Sequence, residues 1–72
     1  MNIKAVVGKN VRRYRELKGI SQEELAFDAE LHRTYVSGVE RGVRNPTVLI
    51  VGQLANALGV APCKLLEFHE KS

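Results

Sequence analysis

The segment from Ser21 to Pro46 combines a helical pattern of apolar residues with polar and cationic residues that could form a binding surface. Its apolar residues recur at helical intervals: Leu25, Ala26, Ala29, Leu31, Val36 and Val39. The residues left to face outward are polar or cationic: Gln22, Arg33, Thr34, Tyr35, Ser37, Arg41 and Arg44. A short helix with an apolar back and a polar, cationic front suits the major groove of duplex DNA. The segment therefore predicts a DNA-binding surface.

The elements that position these residues begin with a long amphipathic helix. It is predicted from about Ile3 to Lys18, on apolar residues three or four positions apart: Ile3, Val7, Val11, Tyr14 and Leu17. Gly19 ends it, because glycine adopts the left-handed conformation at low cost. Ser21 and Glu24 form the S-x-x-E capping box that starts a second helix, which ends near positions 29–30.

A third helix is predicted from about Arg33 to Arg41. Its inward residues are Val36 and Val39, and Gly42 ends it. The second and third helices together span about 21–42 and predict a helix-turn-helix, because they are short, close in sequence and apolar on facing sides.

Two further helices are predicted at about 46–69. Asn45 would cap the fourth, and Pro46 would be its first residue, where a missing N–H does no harm. This helix would end at Leu58, on the stripe Val48, Val51, Leu54, Ala55 and Leu58. The fifth would begin near Ala61–Pro62 and carry Leu65, Leu66 and Phe68. The predicted fold is an all-α, compact five-helix bundle in a single domain over residues 1–72.

Length and charge fit one small domain with a polyanionic partner. A chain of 72 residues buries a marginal core, which favours oligomerisation. The net charge of +3 divides into +5 over residues 1–18, −4 over 19–31, +2 over 32–45 and zero over 46–72. Separate basic segments around an acidic helix fit one charged face and a polyanion partner, although on charge alone an ordinary solvated surface is the better explanation.

The sequence gives little support for a disulfide, a metal site, a membrane span or a catalytic site. The single cysteine, Cys63, cannot form an internal disulfide, and only His32 and His69 could join it as zinc ligands, so we expect no metal, no cofactor and a cytoplasmic location. The longest apolar run, 48–51, is too short for a membrane. A Cys63–His69 dyad has no evident orienting partner, and no glycine-rich phosphate loop is present. We therefore predict that the protein is not an enzyme.

The residues SQEELA, RTYVSGVERG and LANALGV resemble the Cro and phage-repressor type of helix-turn-helix domain. Within that family, RTYVSGVERGVRN resembles the controller proteins of restriction–modification systems. The resemblance extends from about Val11 to Leu66. It implies a lambda repressor-like fold, binding to double-stranded DNA, and activation or repression according to the position and occupancy of the site.

The resemblance also implies roles for individual residues. Base contacts are implied for Arg33, Thr34, Tyr35 and Ser37, and arginine can pair with guanine O6 and N7. Phosphate contacts are implied for Gln22, Arg41, Arg44 and Asn45. Arg15 and Glu40 correspond to an internal ion pair that ties the first helix to the third. An exposed pair of this kind would contribute little, whereas a buried one is costly to break.

Three residues depart from the family pattern. Glu30 stands where glycine or asparagine is common, so a positive φ there would be strained by about 1 kcal/mol or more. His32 stands where a better capping residue is usual. Gly38 leaves the third helix without a side chain at its centre, which would allow close approach to DNA or avoid a clash.

We predict a sequence-specific transcription regulator that acts as a homodimer on a near-palindromic operator, with no small-molecule effector. The predicted dimer contact uses apolar residues left over after core packing: Ile50, Ala57, Leu65 and Phe68. An antitoxin-like protein, a phage-type repressor and a protein-docking module without DNA function are the alternatives. Salt-dependent binding to random duplex DNA would separate the docking module from the DNA-binding proteins.

Overall fold

The computed structural model describes residues 2–68, and within that range all regular secondary structure is helical. Four α-helices precede a short 3-10 helix: α1 (Ile3–Lys18), α2 (Gln22–Ala29), α3 (Arg33–Glu40), α4 (Val48–Leu58) and the 3-10 helix (Pro62–Leu66). The all-α prediction is confirmed, but the predicted fifth helix is wrong. Its five residues begin with a proline and have no side-chain cap, and the chain becomes extended again at Glu67, so no α-helical turn continues.

Local capping sets most of the boundaries. Gly19 ends α1 with a φ of 75°, as glycine readily does. The capping box at the start of α2 is complete: the Glu24 N–H donates to Ser21 Oγ at 3.0 Å, and the Ser21 N–H donates to Glu24 Oε1 at 3.1 Å. Both boundaries agree with the sequence prediction.

The predicted start of α4 is wrong by two residues. Thr47, not Asn45, caps the helix, and Thr47 Oγ1 accepts a hydrogen bond from the Ile50 N–H at 3.2 Å. Pro46 therefore precedes the helix instead of opening it. Val48 is therefore the first residue of α4. Because 90% of its surface is exposed, its predicted place in the core is also wrong.

The core is formed where all five elements meet. The largest side chains with no accessible surface are Leu25, Leu54, Leu65, Val11, Val36 and Val39. The two ends of the predicted α1 stripe, Ile3 and Leu17, are instead exposed.

Backbone contact between α1 and α3 depends on Gly8. A β-carbon at this position would overlap the Val39 carbonyl oxygen and lie 3.0 Å from the Glu40 carbonyl oxygen. Because both neighbours are main-chain atoms, α3 could not yield without moving as a whole. The close packing of α1 on α3 therefore requires glycine here.

Asn10 attaches the 3-10 helix to α1. Its side chain is buried, and Nδ2 donates to the carbonyl oxygens of Leu65 at 2.9 Å and Glu67 at 2.8 Å. These bonds satisfy the buried amide and fix the chain after α4. None of the helices within residues 2–68 is long and apolar enough to cross a membrane.

Candidate nucleic-acid interface

Helix α3 is anchored on one side and open on the other. Val36 and Val39 have no exposed surface, whereas Arg33 and Thr34 are exposed. Ser37 is half-buried beside them. The helical repeat explains most of this division, because Val36 and Val39 are three apart and share one side, while Thr34 and Ser37 are three apart and share another. Arg33 is exposed at the first position of the helix, although it is three residues before Val36.

A shallow depression of about 230 Å³ brings four of the predicted site residues together. It is lined by Gln22, Arg33, Thr34 and Ser37. Gln22 comes from the start of α2, and the other three come from the first turns of α3. The turn between these helices is therefore what places Gln22 beside the outer side of α3.

That turn is closed by the left-handed residue Glu30, whose φ is 59°. The Leu31 N–H donates to the Ala26 carbonyl oxygen at 2.8 Å, and Leu31 packs against the core. Next, His32 caps α3, with Nδ1 accepting from the Thr34 N–H at 3.3 Å. The positive φ considered for Glu30 is thus present, and His32 caps the helix by a long hydrogen bond.

Gln22 is positioned by a hydrogen bond to the buried ion pair of Arg15 and Glu40. Glu40 accepts from Arg15 Nε at 2.7 Å through Oε2, and from Arg15 Nη2 at 3.1 Å and Gln22 Nε2 at 2.9 Å through Oε1. Arg15 Nη1 also donates to the Ile20 carbonyl oxygen at 3.0 Å. The side chains of Arg15 and Glu40 are only 14% and 4% exposed, so the ion pair implied by the resemblance is present and is not a surface pair.

The same ion pair affects the charge state of Arg15. The hydrogen bonds that Arg15 donates to Glu40 raise the pKa of the Arg15 guanidinium, and this outweighs the lowering effect of burial. Arg15 therefore stays charged in the interior, and Glu40 has a fixed cation to accept from. The fork of the guanidinium and the two carboxylate oxygens form a bidentate contact, which fixes direction as well as distance.

Arg44 lies against α3 near Tyr35. Its guanidinium carbon is 5.7 Å from the centroid of the Tyr35 ring, within the range of a cation–π contact. The guanidinium remains exposed. Arg33, Arg41 and Arg44 form no ion pair with any residue between positions 2 and 68, in contrast to Arg15. Their charges are thus available to a polyanion.

The comparisons with known proteins agree with this geometry. A family model described as helix-turn-helix matches residues 11–65. The chain belongs to the helix-turn-helix family. It is 47% identical over 68 residues to control protein C.BamHI of Bacillus amyloliquefaciens, an alignment that covers 93% of this chain and 84% of that protein. It is also 47% identical over 66 residues to control protein C.SmaI of Serratia marcescens, covering 92% and 79%.

A solved member of the family has the same fold. The restriction–modification controller protein C.AhdI from Aeromonas hydrophila superposes with a TM-score of 0.84 and 45% identity, covering 86% of this chain and 94% of that one. The resemblance to controller proteins that the sequence predicts is therefore confirmed.

Two of the four residues predicted for a dimer contact are part of the core. Leu65 has no exposed surface and Ala57 is 8% exposed, and both belong to the cluster of buried core residues. Ile50 is half-buried and packs against the core, and only Phe68 is largely exposed. Leu65 and Ala57 consequently have almost no surface to offer a second subunit.

A different apolar surface is exposed instead. Val48, Leu49 and Leu66 have 90%, 75% and 48% of their surfaces exposed. Val48 and Leu66 line a groove of about 200 Å³ together with Ile3 and Pro62. Asn45 also lines this groove, so its side chain stands apart from the depression beside α3. Sequence reasoning missed this surface because it began α4 two residues early and placed Val48 inside.

The cysteine and histidines considered as metal ligands or catalytic residues are only partly described by the structure. Between positions 2 and 68, no three His, Cys, Asp or Glu residues are grouped so that they could hold a metal ion. Cys63 is an exposed free thiol. His69, its possible partner in the sequence analysis, lies outside the described residues.

Proposed function

We propose that the protein is a sequence-specific regulator of transcription that binds double-stranded DNA as a homodimer and serves as the controller protein of a restriction–modification system. The observation that carries this proposal is the open outer side of α3. Thr34 is exposed there on the side of the helix opposite the buried Val36, and Arg33 is exposed at the first position of the helix. A helix anchored in this way can enter the major groove without losing its contact with the core.

Base reading is assigned to the first turns of α3. Arg33 would donate to guanine O6 and N7, and Thr34 would bond a base edge or contact a thymine methyl group. Ser37 and Tyr35 follow on the same helix. Gln22 would contact a phosphate beside them, and its position is stabilised by the hydrogen bond to Glu40.

Affinity is assigned mainly to the arginines beyond the base-reading turns. Arg41 and Arg44 are exposed and follow α3 directly, which would bring them to the phosphates that flank the half-site. Each arginine that neutralises a phosphate releases counterions, so binding would weaken steeply as salt rises. Asn45 is the least supported of the proposed phosphate contacts, because it borders the apolar groove.

Dimer formation is assigned to the exposed apolar surface of Val48, Leu49, Leu66 and Phe68. A two-fold dimer would place two α3 helices about 34–36 Å apart, one turn of DNA, and would select a near-palindromic site. With no effector expected, occupancy of the operator would follow protein concentration through dimerisation.

The test is a DNA-binding titration by fluorescence anisotropy with an operator selected from a random duplex pool. Arg33→Ala should cost roughly 1–3 kcal/mol of binding and relax base preference at one position of each half-site. Arg12→Ala removes an equal charge from α1, outside the depression, and should preserve the base preference. Equal binding of every sequence by parent and Arg33→Ala protein would refute the assignment of Arg33.

The remaining alternatives predict other results. A docking module would show no salt-dependent binding to duplex DNA. An antitoxin or phage-type repressor would bind DNA, but its gene would lack the neighbouring methyltransferase and endonuclease genes that a controller protein regulates.

A further inference from the structure

The centre of α3 is shaped by a glycine whose free space is filled by Arg44. A β-carbon on Gly38 would lie 2.5 Å from Arg44 Cγ, 3.3 Å from Nε and 3.5 Å from Cδ. Cγ and Cδ belong to the aliphatic stem of the arginine side chain, and Nε is the first atom of its guanidinium. Gly38 is itself buried, although Arg44 is exposed overall. The stem of Arg44 thus lies in the position that any other side chain at 38 would require.

The loop after α3 is also bound to Gly38 through the main chain. The N–H groups of Val43 and Arg44 both donate to the Gly38 carbonyl oxygen, at 3.0 and 3.2 Å. The chain therefore turns back along α3 at this residue, and the Cα of Arg44 is held close to the helix. Backbone and side chain of Arg44 are located by the same glycine.

Tyr35 limits the outer end of the Arg44 side chain. The ring lies one turn before Gly38, and the guanidinium carbon is 5.7 Å from its centroid. Tyr35 is half-buried and packs against the core, so the ring is a fixed surface for the cation. Arg44 is consequently restricted at its backbone N–H by Gly38, along its aliphatic carbons by α3, and at its guanidinium by Tyr35.

We infer that Gly38 is a positioning residue for DNA binding, which seats Arg44 across α3 so that its guanidinium is fixed against Tyr35 before DNA arrives. The inference rests on the proposed function, in which Arg44 contacts a phosphate. Arginine has large rotamer freedom, and a side chain ordered in advance loses less of it on binding. Glycine is a poor helix former, so its presence at the centre of α3 lowers helix stability. The space that it leaves for the Arg44 side chain explains why glycine stands there.

Close approach to DNA is a weaker explanation for this glycine. The space that a β-carbon would take points at Arg44, and the three nearest atoms around it all belong to that side chain. The glycine on α4 provides the contrast, because a β-carbon on Gly52 would meet nothing within 4 Å. The restriction at position 38 therefore comes from within the protein.

The experiment is a double-mutant cycle between Gly38→Ala and Arg44→Ala, read by operator affinity at several salt concentrations. Each single substitution should weaken operator binding by about tenfold per half-site, the usual order for one charge-assisted contact. Each should also flatten the salt slope by about 0.9 per half-site, because one phosphate contact is lost. Base preference at the Arg33 position should stay as in the parent.

The cycle separates positioning from a structural defect. Once Arg44 is removed, Gly38→Ala should cause no further loss of affinity, because the methyl group then displaces nothing that binds. In the Arg44→Ala background, the thermal midpoint with Gly38→Ala should equal or exceed that of Arg44→Ala alone, because the space is then free and alanine favours the helix. Losses of affinity in both backgrounds, or a lowered midpoint in the Arg44→Ala background, would assign Gly38 to packing of α3 and overturn the inference.

The remaining outcomes distinguish the inference from the function on which it rests. Parent-like binding by Gly38→Ala, with weakened binding by Arg44→Ala, would overturn the positioning role and leave the phosphate contact in place. Parent-like binding by Arg44→Ala would remove the phosphate contact itself, and the role of Gly38 with it.

Discussion

Glu30 occupies a backbone conformation that disfavours its own β-carbon. Its φ of 59° is in the left-handed region, which costs an L-residue about 1–2 kcal/mol. The residue also places a carboxylate at the C-terminal end of α2, where the helix dipole is unfavourable to negative charge. The tight turn that places Gln22 beside α3 is thus maintained by the packing of the helices around it.

Glu30→Gly should stabilise the protein, with Glu30→Ala as the matched control. Both substitutions remove the charge, but only glycine relieves the φ of 59°, and part of that gain is offset by the greater freedom of glycine in the unfolded chain. The glycine variant should exceed the alanine variant by about 1 kcal/mol in the free energy of unfolding. Urea unfolding at one protein concentration measures the difference, and equal stability of the two variants would show that the turn carries no strain.

Some residues of the interface were predictable and others were not. The outward Thr34 follows from the buried Val36 and Val39 by helical periodicity, whereas Arg33 shares their spacing and is exposed at the first position of the helix. The Arg15–Glu40 pair joins residues 25 positions apart, so only the resemblance to a family could indicate it. The seat of Arg44 on α3 depends on the path of a loop, which sequence periodicity does not describe.

For the helices, local sequence signals predict where a helix begins and ends better than they predict which helices contact one another. Gly19 and the capping box at Ser21 act within one turn, and both were read correctly from the sequence. Asn45 and Thr47 are both residues of a capping type, two positions apart, and capping preference ranks asparagine higher, so local preference alone selects the wrong residue. Gly8 was missed because its importance arises only where α1 crosses α3.

Gly8→Ala should therefore destabilise the fold, although alanine is the better helix former. The added β-carbon meets carbonyl oxygens of Val39 and Glu40, and overpacking against backbone costs about 1–3 kcal/mol. Gly52→Ala is the matched control, because it adds the same methyl group to a helix in open space and should stabilise by up to about 1 kcal/mol. Thermal unfolding of the two variants should give shifts of opposite sign, and a stabilised Gly8→Ala protein would contradict the close packing of α1 on α3.

At the scale of the whole molecule, one copy is too small to read a complete palindrome. The longest dimension of the described part is 30 Å, whereas successive major-groove half-sites on one side of DNA are about 34–36 Å apart. A single α3 helix can thus occupy one half-site. Recognition of both half-sites requires a second copy. The charged α3 surface and the apolar groove are formed by different residues, so the two surfaces do not compete for the same side chains.

Val48→Asp should separate dimer formation from folding. Val48 is 90% exposed in the single chain, so the substitution removes no core packing, but it would bury a charge in the proposed interface. Sedimentation equilibrium should show a monomer, and operator affinity should fall by at least about a hundredfold, because a half-site alone would be bound. Phe27→Asp is the matched control: its side chain is 83% exposed on α2, outside the groove, and the variant should remain a dimer. A dimeric Val48→Asp protein with parent-like operator affinity would place the interface elsewhere on the molecule.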